Sequence, residues 1–372
     1  MSGNGFRIVH IITSLRFGGA ERLVADMLPR MRERGHEVEL IVFDGIRTPF
    51  REQLEQRNIK IHSLGCGTGQ MRNPLHLLRL GKYLDRERFD IVHTHNTPCQ
   101  LFTALAAGKN APILVTTEHN TFNRRRNWRW YEGIDRRMYR RYDHIICVGE
   151  QTRSNLIRLL GAEFDDGKIS LVRNGIDLRR YTEAAADTSL RGSAGSGSRT
   201  VAMIAAFREQ KDQPTLIRAM QLLPAEYRLL LAGDGVTRER CERLAEELNV
   251  AERVCFAGFR TDAAAIAASA DAVVLSSHYE GMSLASIEGM ASGRPFIASD
   301  VEGLRDVVGG AGLLFRHEDH EELAGLIRRV CEDEAFGSAT AARCRERALQ
   351  YDIEDTVEGY ERIYAELVKR NK

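Results

Sequence analysis

The chain has 372 residues, of which 43% are hydrophobic, with 53 Lys and Arg against 52 Asp and Glu; this is typical of a soluble globular protein with room for two cores. It contains no apolar run of 18 residues and begins with a short polar segment, so we expect neither a membrane-spanning helix nor a secretory signal peptide. Its seven cysteines are scattered without a C-x-x-C pair, which favours reduced thiols in the cytoplasm over disulfides or zinc.

Strands and helices alternate along the first half of the chain. The pattern predicts strands at 6–12, 37–43, 59–64, 91–95, 113–117, 144–148 and 169–172. It predicts helices at 20–33, 74–85, 100–107, 130–141 and 151–160. Such alternation predicts a doubly wound parallel sheet.

The same alternation restarts in the second half. Residues 183–199 are small, polar and rich in Gly and Ser, which predicts an exposed loop. Strands are then predicted at 200–206, 228–232, 253–256, 272–276, 295–298 and 313–315, and helices at 212–222, 237–248, 262–269 and 284–291. Two Rossmann-like patterns of similar size predict an α/β protein of two domains, 1–178 and 179–352.

The last segment, 353–372, has the pattern of an amphipathic helix. Its apolar residues recur at helical spacing: Val357, Tyr360, Ile363, Tyr364 and Leu367.

The segment after the predicted strand at 272–276 carries the most informative motif of the chain. Glu280 and Gly281 form a tight turn, and the helix at 284–291 follows. The unpaired backbone N–H groups and the dipole of a helix N-terminus favour an anion such as a phosphate. Glu288 lies about two helical turns deeper, so two carboxylates flank the anion site. This arrangement suits a nucleotide sugar, while an ordinary turn and helix with two surface acids stays open as the alternative.

The spacing Glu-x7-Glu from Glu280 to Glu288, followed by Gly293 and Pro295, resembles the donor-site motif of retaining GT-B glycosyltransferases of family 4. The resemblance implies two Rossmann-like domains that face each other across a cleft, with a C-terminal helix that crosses back to the N-terminal domain. It also implies that Glu280 approaches the donor hexose and that Glu288 accepts from the ribose hydroxyls. The backbone expected to approach phosphate belongs to Gly281, Met282, Ser283 and Leu284.

Three positions depart from the common family pattern. Met282 replaces the usual Phe, and Gly289 replaces the usual Ala. Val301-Glu302-Gly303 stands where Val-Gly-Gly is common. Glu302 could therefore alter sugar specificity near the acceptor.

Other residues of the second half match family positions near the donor. Arg208 and Lys211 follow its first strand, where relatives carry a basic pair whose charge stabilises the leaving diphosphate; a solvated charge cluster is the alternative. The resemblance also places near the donor a Gly-Asp-Gly loop and the backbone after the third strand, at Gly233, Gly258, Phe259 and Arg260.

Two features of the first half match the family as well. Gly18 and Gly19 open the first helix and resemble the first Gly-rich loop, which contacts phosphate or acceptor; an ordinary strand-to-helix turn is almost as good an interpretation. His119 follows the predicted strand at 113–117, where relatives have a histidine beside the donor sugar, although a structural hydrogen bond is the alternative. His93 and His95 rank lower, as acceptor contacts.

The chain contains no Asp-x-Asp, the pair that holds a divalent cation on the diphosphate in GT-A enzymes. We therefore expect a metal-independent reaction, with Arg208 and Lys211 supplying the positive charge. No metal site and no cofactor are expected, and the nucleoside diphosphate sugar is a co-substrate.

A basic and aromatic segment at 123–142 distinguishes the first half. Residues 1–178 hold 28 Lys and Arg against 20 Asp and Glu, whereas the remainder holds 25 against 32, which suggests an anionic partner for the first half. We expect the segment to contact an anionic membrane or a lipid-linked acceptor; arginines that pair within the protein are the alternative. The residues concerned are Arg124, Arg125, Arg126, Trp128 and Trp130.

The sequence thus predicts a cytoplasmic enzyme, peripheral on the inner face of the membrane. It would transfer a hexose or N-acetylhexosamine from a nucleoside diphosphate sugar to a glycan or polyprenyl-linked acceptor, with retention. No nucleic-acid recognition module accompanies the basic segment. The alternatives are a GT-B nucleotide-sugar epimerase and a non-catalytic protein that binds sugar nucleotides.

Overall fold

The computed structural model describes residues 5–16, 18–65, 67, 73–108, 111–119, 129–161, 164–187 and 197–371. It divides the chain into two compact units. The first comprises Met1–Asn174 and Ile353–Lys372, and the second comprises Gly175–Asp352. Residues 188–196 of the predicted loop lie outside the described residues.

The first unit is built on a seven-stranded parallel sheet, in agreement with the doubly wound pattern. Its strands are β1 (Arg7–Ile12), β2 (Glu37–Val42), β3 (Lys60–Ser63), β4 (Ile91–His95), β5 (Ile113–Glu118), β6 (His144–Cys147) and β7 (Ile169–Leu171). They are arranged in the order β3-β2-β1-β4-β5-β6-β7. The chain reverses direction across the sheet between β1 and β4, the position at which open α/β sheets bind ligands.

Six helices follow these strands. They are α1 (Gly19–Glu33), α2 (Pro49–Gln56), α3 (Leu75–Arg86), α4 (Cys99–Ala106), α5 (Arg129–Tyr139) and α6 (Glu150–Leu160). The sequence patterns missed only α2 of these. A start signal is nevertheless present, because Thr48 precedes Pro49 and its side chain accepts a hydrogen bond from the N–H of Arg51 at 3.3 Å.

The second unit repeats the plan with a six-stranded parallel sheet. Its strands are β8 (Arg199–Ile204), β9 (Tyr227–Ala232), β10 (Val254–Gly258), β11 (Ala272–Leu275), β12 (Phe296–Ser299) and β13 (Leu313–Phe315), in the order β10-β9-β8-β11-β12-β13. The switch of direction falls between β8 and β11. The predicted two-domain Rossmann-like α/β fold is therefore confirmed.

The second unit has eight α-helices among its described residues. They are α7 (Leu178–Thr182), α8 (Gln213–Leu222), α9 (Arg238–Glu247), α10 (Ala263–Ser269), α11 (Leu284–Ala291), α12 (Glu302–Val308), α13 (His320–Glu332) and α14 (Glu334–Ala348). The patterns did not predict α7, α12, α13 or α14. Helices α13 and α14 nevertheless carry N-cap signals. The side chains of Asp319 and Asp333 each accept a hydrogen bond, at 2.9 Å, from the backbone N–H of the residue three positions later.

The last helix, α15 (Ile353–Arg370), belongs to the first unit. Its predicted apolar face is buried, and Tyr360 and Tyr364 are fully enclosed. Arg34 of α1 pairs with Glu354 at 2.5 Å and with Glu361 at 3.0 Å. The first unit thus receives its final helix from the far end of the chain.

The sequence led us to expect no membrane-spanning helix and no disulfides, and the described residues can be compared with both expectations. None of their helices combines the length and the apolar character needed to cross a bilayer. Their six cysteines are free thiols, in agreement with the predicted reduced state.

Candidate functional site

An ion pair joins the two loops that flank the switch point of the second sheet. Nζ of Lys211, in the loop after β8, lies 2.5 Å from Oε1 of Glu280, in the loop after β11. The Ser277 hydroxyl donates to the same carboxylate oxygen at 2.7 Å. The backbone closes the junction, because the N–H of His278 donates to the carbonyl of Gln210 at 2.8 Å. The side chains of Lys211 and Glu280 are only 16% and 7% exposed.

The structure therefore brings together two residues that the sequence assigned to different parts of a donor. Lys211 was expected at the diphosphate and Glu280 at the hexose, and the two side chains form an ion pair with each other. Arg208 differs, because its side chain is exposed and has no hydrogen bond or ion pair with a described residue. It is the cation of this loop that is available to an incoming anion.

The N-terminus of α11 lies directly after Glu280. Its N-cap residue, Ser283, makes no side-chain capping bond, and the hydroxyl of Ser286 donates to the Ser283 carbonyl at 2.7 Å. Among the described residues no side chain is seen to accept from the first-turn N–H groups, which leaves them available to an anion. A Cβ on Gly303 would lie 2.3 Å from the carbonyl oxygens of both Glu280 and Gly281, so α12 packs tightly beneath this turn.

Glycines draw the neighbouring strand ends together. Gly233 has a φ of +148°, and a Cβ on it would lie 2.0 Å from the carbonyl oxygen of Ala205. Gly235 has a φ of +153°, and a Cβ on it would lie 2.3 Å from the carbonyl oxygen of Phe207. The Gly233 N–H donates to the carbonyl of Gly258 at 2.8 Å. Gly233 and Gly258 therefore hold the loops after β8, β9 and β10 against one another.

The remaining donor residues of the second unit occupy varied environments. Phe259 is 39% exposed, and the guanidinium of Arg260 pairs with Asp262 at 2.5 Å. Met282 and Glu288 are half-buried. No observation assigns these four side chains to a ligand, so their roles stay predictions.

Packing explains one departure from the family pattern. A Cβ on Gly289 would lie 2.5 Å from Cδ2 of Phe296 on β12. Phe296 is fully buried, so its ring occupies the space that an alanine methyl at 289 would need.

A group of metal-ligating side chains that sequence spacing did not indicate lies beside these loops. His278, His317 and Glu318 each offer one possible ligand atom. These three atoms lie within 4.8 Å of one another. His278 and His317 are hydrogen-bonded at 2.7 Å through their ring nitrogens. The three residues come from two distant loops, which is why their positions along the chain gave no signal.

The first sheet places His119 at the end of a row of histidines on β1, β4 and β5. Nε2 of His119 lies 3.0 Å from Nδ1 of His95, whose Nε2 lies 2.9 Å from Nδ1 of His10. His93 stacks on His95 with ring centroids 4.6 Å apart. The hydroxyl of Tyr364 on α15 hydrogen-bonds to His93. We call His10, His93, His95 and His119 the histidine stack.

Only one member of the histidine stack is accessible. His10, His93 and His95 are fully buried, so His93 and His95 cannot be the direct acceptor contacts that the sequence suggested. His119 is half-buried. Burial lowers the pKa of His119 to about 4, so its imidazole is neutral near pH 7 and suits hydrogen bonding to uncharged groups.

The Gly-rich loop of the first unit leads into α1. Gly18 is its N-cap, and a Cβ there would lie 2.2 Å from Oε2 of Glu21. A carboxylate in the first turn already interacts favourably with the helix dipole. Glu21 therefore competes with any anion at Gly18 and Gly19, which favours the ordinary strand-to-helix turn.

The basic and aromatic segment is only partly described. Arg124, Arg125, Arg126 and Trp128 lie outside the described residues, as does the side chain of Trp130. Further along, Arg136 donates to the Leu159 carbonyl at 2.7 Å, and Arg141 donates to that of Ala107 at 2.7 Å. Tyr139 and Tyr142 are buried in the core.

Arg136 and Arg141 therefore follow the alternative of internal pairing, and Tyr139 and Tyr142 contribute to the core. Arg137 and Arg140 are exposed. The five residues named for the membrane or acceptor contact all precede Tyr131, and their role stays a prediction.

Comparison with known proteins agrees with the fold and with the resemblance to family 4. Residues 17–180 match the family model described as Glycosyltransferase Family 4, and residues 191–351 match the one described as Glycosyl transferases group 1. The N-acetyl-alpha-D-glucosaminyl L-malate synthase of Bacillus anthracis is 26% identical over 371 residues, which cover 95% of this chain and 96% of the relative.

Two further similarities extend over nearly the whole chain. An Escherichia coli protein named UDP-Gal:alpha-D-GlcNAc-diphosphoundecaprenol alpha-1,3-galactosyltransferase is 23% identical, with 97% of each chain covered. The crystal structure of Anabaena Alr3699/HepE in complex with UDP-glucose superposes with a TM-score of 0.84 at 21% identity, covering 98% of this chain and all of that one.

Two Rossmann-like units with a charged strand-end site define a protein of the GT-B class. The chain belongs to glycosyltransferase family 4, and it is a transferase.

Proposed function

We propose that this enzyme is a retaining, metal-independent glycosyltransferase. It transfers a hexose or an N-acetylhexosamine from a nucleoside diphosphate sugar to a glycan or polyprenyl-linked acceptor. The observation that carries the proposal is the exposed Arg208, which pairs with no described residue, in the same loop as Lys211 of the Lys211–Glu280 ion pair, together with the N-terminus of α11, whose N-cap side chain makes no capping bond. Two cations and a helix N-terminus suit a diphosphate, whereas a single acid beside them suits a sugar hydroxyl.

The properties of similar proteins support a nucleotide-sugar donor. The Anabaena structure contains UDP-glucose, and the Escherichia coli relative is named for a UDP-Gal donor and a diphosphoundecaprenol-linked acceptor. Arg208, Lys211 and Glu280 would contact the parts that such donors share, the diphosphate and the sugar hydroxyls. They therefore support the class of donor more strongly than they support one base or one sugar.

Charge stabilisation lowers the barrier of the proposed reaction. The bond between the anomeric carbon and the β-phosphate oxygen breaks, and the nucleoside diphosphate leaves with the electron pair of that bond. Arg208 and Lys211 stabilise the negative charge that develops on it. The acceptor oxygen bonds to the anomeric carbon on the same face, and its proton passes to the departing phosphate oxygen.

Donor binding would also change the partner of Glu280, which is paired with Lys211. A diphosphate that attracts the Lys211 ammonium also releases Glu280 from it. Glu280 then accepts hydrogen bonds from the hexose hydroxyls. For His119, the family resemblance supports a hydrogen bond to the donor hexose. Glu288 accepts from the ribose hydroxyls, because a carboxylate can accept two at once.

Thermal unfolding with a panel of nucleoside diphosphate sugars tests the proposal. A ligand at 100 times its Kd stabilises the folded state by about 2.7 kcal/mol, so the correct donor should raise Tm measurably. Arg208→Ala should abolish that rise, whereas Arg243→Ala, which removes an arginine 63% exposed on α9, should preserve it. A donor that stabilises both variants equally would remove Arg208 from the site.

Peripheral attachment to the inner face of the membrane is a separate part of the proposal. It rests on the basic sequence before Tyr131. Replacing Arg124, Arg125 and Arg126 with Gln should weaken binding to anionic liposomes by about 1 kcal/mol for each charge that faces the surface. Unchanged liposome binding, with the variant folded as the wild type, would contradict a membrane role for these residues.

A further inference from the structure

A chain of hydrogen bonds leads from the core of the first unit to the half-exposed His119. Its three members are His10, His95 and His119, with nitrogen–nitrogen distances of 2.9 and 3.0 Å. Nδ1 of His119 has no hydrogen bond with any described residue. We propose that His10 and His95 are positioning residues that fix the tautomer of His119, so that His119 presents an Nδ1–H donor to its ligand.

Counting protons shows why the three rings must act together. A neutral imidazole has one N–H donor and one acceptor nitrogen. His95 uses both of its nitrogens in the chain, so it must donate at one end and accept at the other. If His10 carries its proton on Nδ1, His95 accepts at Nε2 and donates from Nδ1. His119 then accepts at Nε2 and carries its own proton on Nδ1.

The buried end of the chain selects this direction over the opposite one. Nε2 of His10 is buried and has no hydrogen-bond partner in the described part of the chain. In the opposite direction this atom would carry a buried N–H without an acceptor. In the proposed direction it carries only an unpaired lone pair. Orphaned buried donors are rarer than under-satisfied acceptors, so the proton of His10 resides on Nδ1.

Burial also keeps the chain in its neutral form. If Nε2 of His119 or of His95 gained a proton while the neighbouring rings kept theirs, two N–H groups would face each other at one of the links. Burial lowers the pKa of His10 to about 3 and lowers that of His95 well below its ordinary range. Each ring therefore carries a single proton near pH 7.

The imposed tautomer differs from the one that a free histidine prefers. In water, the neutral side chain favours the proton on Nε2. The chain reverses this preference and aims a donor outward, where a sugar oxygen can accept it. This consequence rests on the proposed function, in which His119 hydrogen-bonds the donor hexose, whereas the tautomer itself does not.

His93 provides a matched control within the same stack. It lies 5.0 Å from His10 and 4.6 Å from His95 between ring centroids. Its nitrogens bond instead to Thr117, at 2.8 Å, and to Tyr364, at 2.5 Å. Removing it disturbs the stacking without interrupting the chain.

The direct test is nitrogen NMR of the full-length protein labelled with ¹⁵N-histidine, without substrate. The signals of His119 are assigned from their loss in His119→Ala. We expect an Nδ1–H signal in the wild type and in His93→Phe, and a shift toward Nε2–H in His95→Phe. A wild-type Nε2–H signal would overturn the proposal without any variant, and an Nδ1–H signal unchanged in a folded His95→Phe would overturn it as well.

Kinetics then test the consequence for transfer. Loss of one neutral hydrogen bond corresponds to about a five- to tenfold decrease in kcat/KM. We expect this decrease for His95→Phe but not for His93→Phe. Both variants are measured at a temperature at which they are folded. Equal decreases in both variants would indicate a structural role and overturn the proposal. If the wild-type tautomer is Nδ1–H but His119→Ala transfers normally, the positioning is supported and the catalytic role proposed for His119 is wrong.

Discussion

The strand ends of the two sheets carry opposite kinds of chemistry. In the first unit, buried neutral histidines are joined by hydrogen bonds to one another and to Tyr364 of α15. In the second, Lys211 and Glu280 form an ion pair beside the exposed Arg208. Neutral groups suit the hydroxyls of a sugar, and fixed charges suit a diphosphate. The comparison shows that the first unit presents neutral hydrogen-bonding groups at its strand ends, whereas the second unit presents charged ones.

The largest effect that can test this contrast is loss of a cation in the second unit. Arg208→Ala and Lys211→Ala should each reduce kcat about 100-fold or more, because each removes charge stabilisation from the leaving phosphate. Steady-state kinetics with the donor identified by thermal shift measure the effect. Near-normal turnover in both variants would show that the charged surface does not hold the diphosphate.

Stability separates the two cations. Lys211→Ala leaves Glu280, which is 7% exposed, without its ionic partner, so this variant should unfold at a lower temperature. Arg208 pairs with none of the residues that the structure describes, so Arg208→Ala should unfold like the wild type. In the double variant Lys211→Ala/Glu280→Gln, most of the lost stability should return, since the unpaired charge is absent. A double variant that is no more stable than Lys211→Ala would contradict this account.

The next effect concerns the packing that supports the charged surface. Gly289→Ala restores the residue common in the family, yet its methyl would meet the Phe296 ring at 2.5 Å. We expect a loss of about 1–3 kcal/mol in the free energy of unfolding. Chemical denaturation measures it, and Gly289→Ala/Phe296→Leu is the matched variant that should recover stability. If Gly289→Ala alone is as stable as the wild type, the packing explanation is wrong.

The two surfaces were not equally predictable from the sequence. Strand alternation predicted both sheets, and the Glu280–Glu288 spacing, read with the resemblance, predicted the charged loops, because these signals are local. The pairing of Lys211 with Glu280 joins residues 69 positions apart, and the bonds of His95 to His10 and of Tyr364 to His93 span 85 and 271 positions. Such contacts depend on strand order and on where the last helix packs, neither of which periodicity specifies.

Some helices were also missed by the sequence patterns. Helix α12 contains only seven residues, too few for a periodic pattern. Helices α13 and α14, in contrast, could have been found from Asp319 and Asp333, whose side chains cap them. Composition alone also grouped Tyr139 and Tyr142 with a surface segment, although both are core residues.

A smaller effect distinguishes the two acids of the charged surface. Glu288→Gln should weaken both the bare nucleoside diphosphate and the intact donor about tenfold, because one charge-assisted hydrogen bond contributes roughly 1.5 kcal/mol or more. Glu280→Gln should weaken the intact donor by more than the bare nucleotide. Isothermal titration calorimetry with both ligands separates the two patterns. Identical losses for both ligands in both variants would refute the division into ribose and hexose contacts.

The smallest expected effect is that of metal removal. After it, turnover should stay within about twofold of that of the untreated enzyme, a change in the activation free energy of well under 1 kcal/mol. The reason is that Arg208 and Lys211 supply the positive charge that a divalent cation would otherwise bring to the diphosphate. Kinetics before and after EDTA treatment measure it. The group of His278, His317 and Glu318 calls for a control, since a metal there could affect the adjoining loop. If EDTA lowers turnover in the wild type but not in His317→Ala, that group is responsible. If both lose turnover and magnesium or manganese restores it, the cation acts on the diphosphate and the contrast between the two surfaces must include a metal.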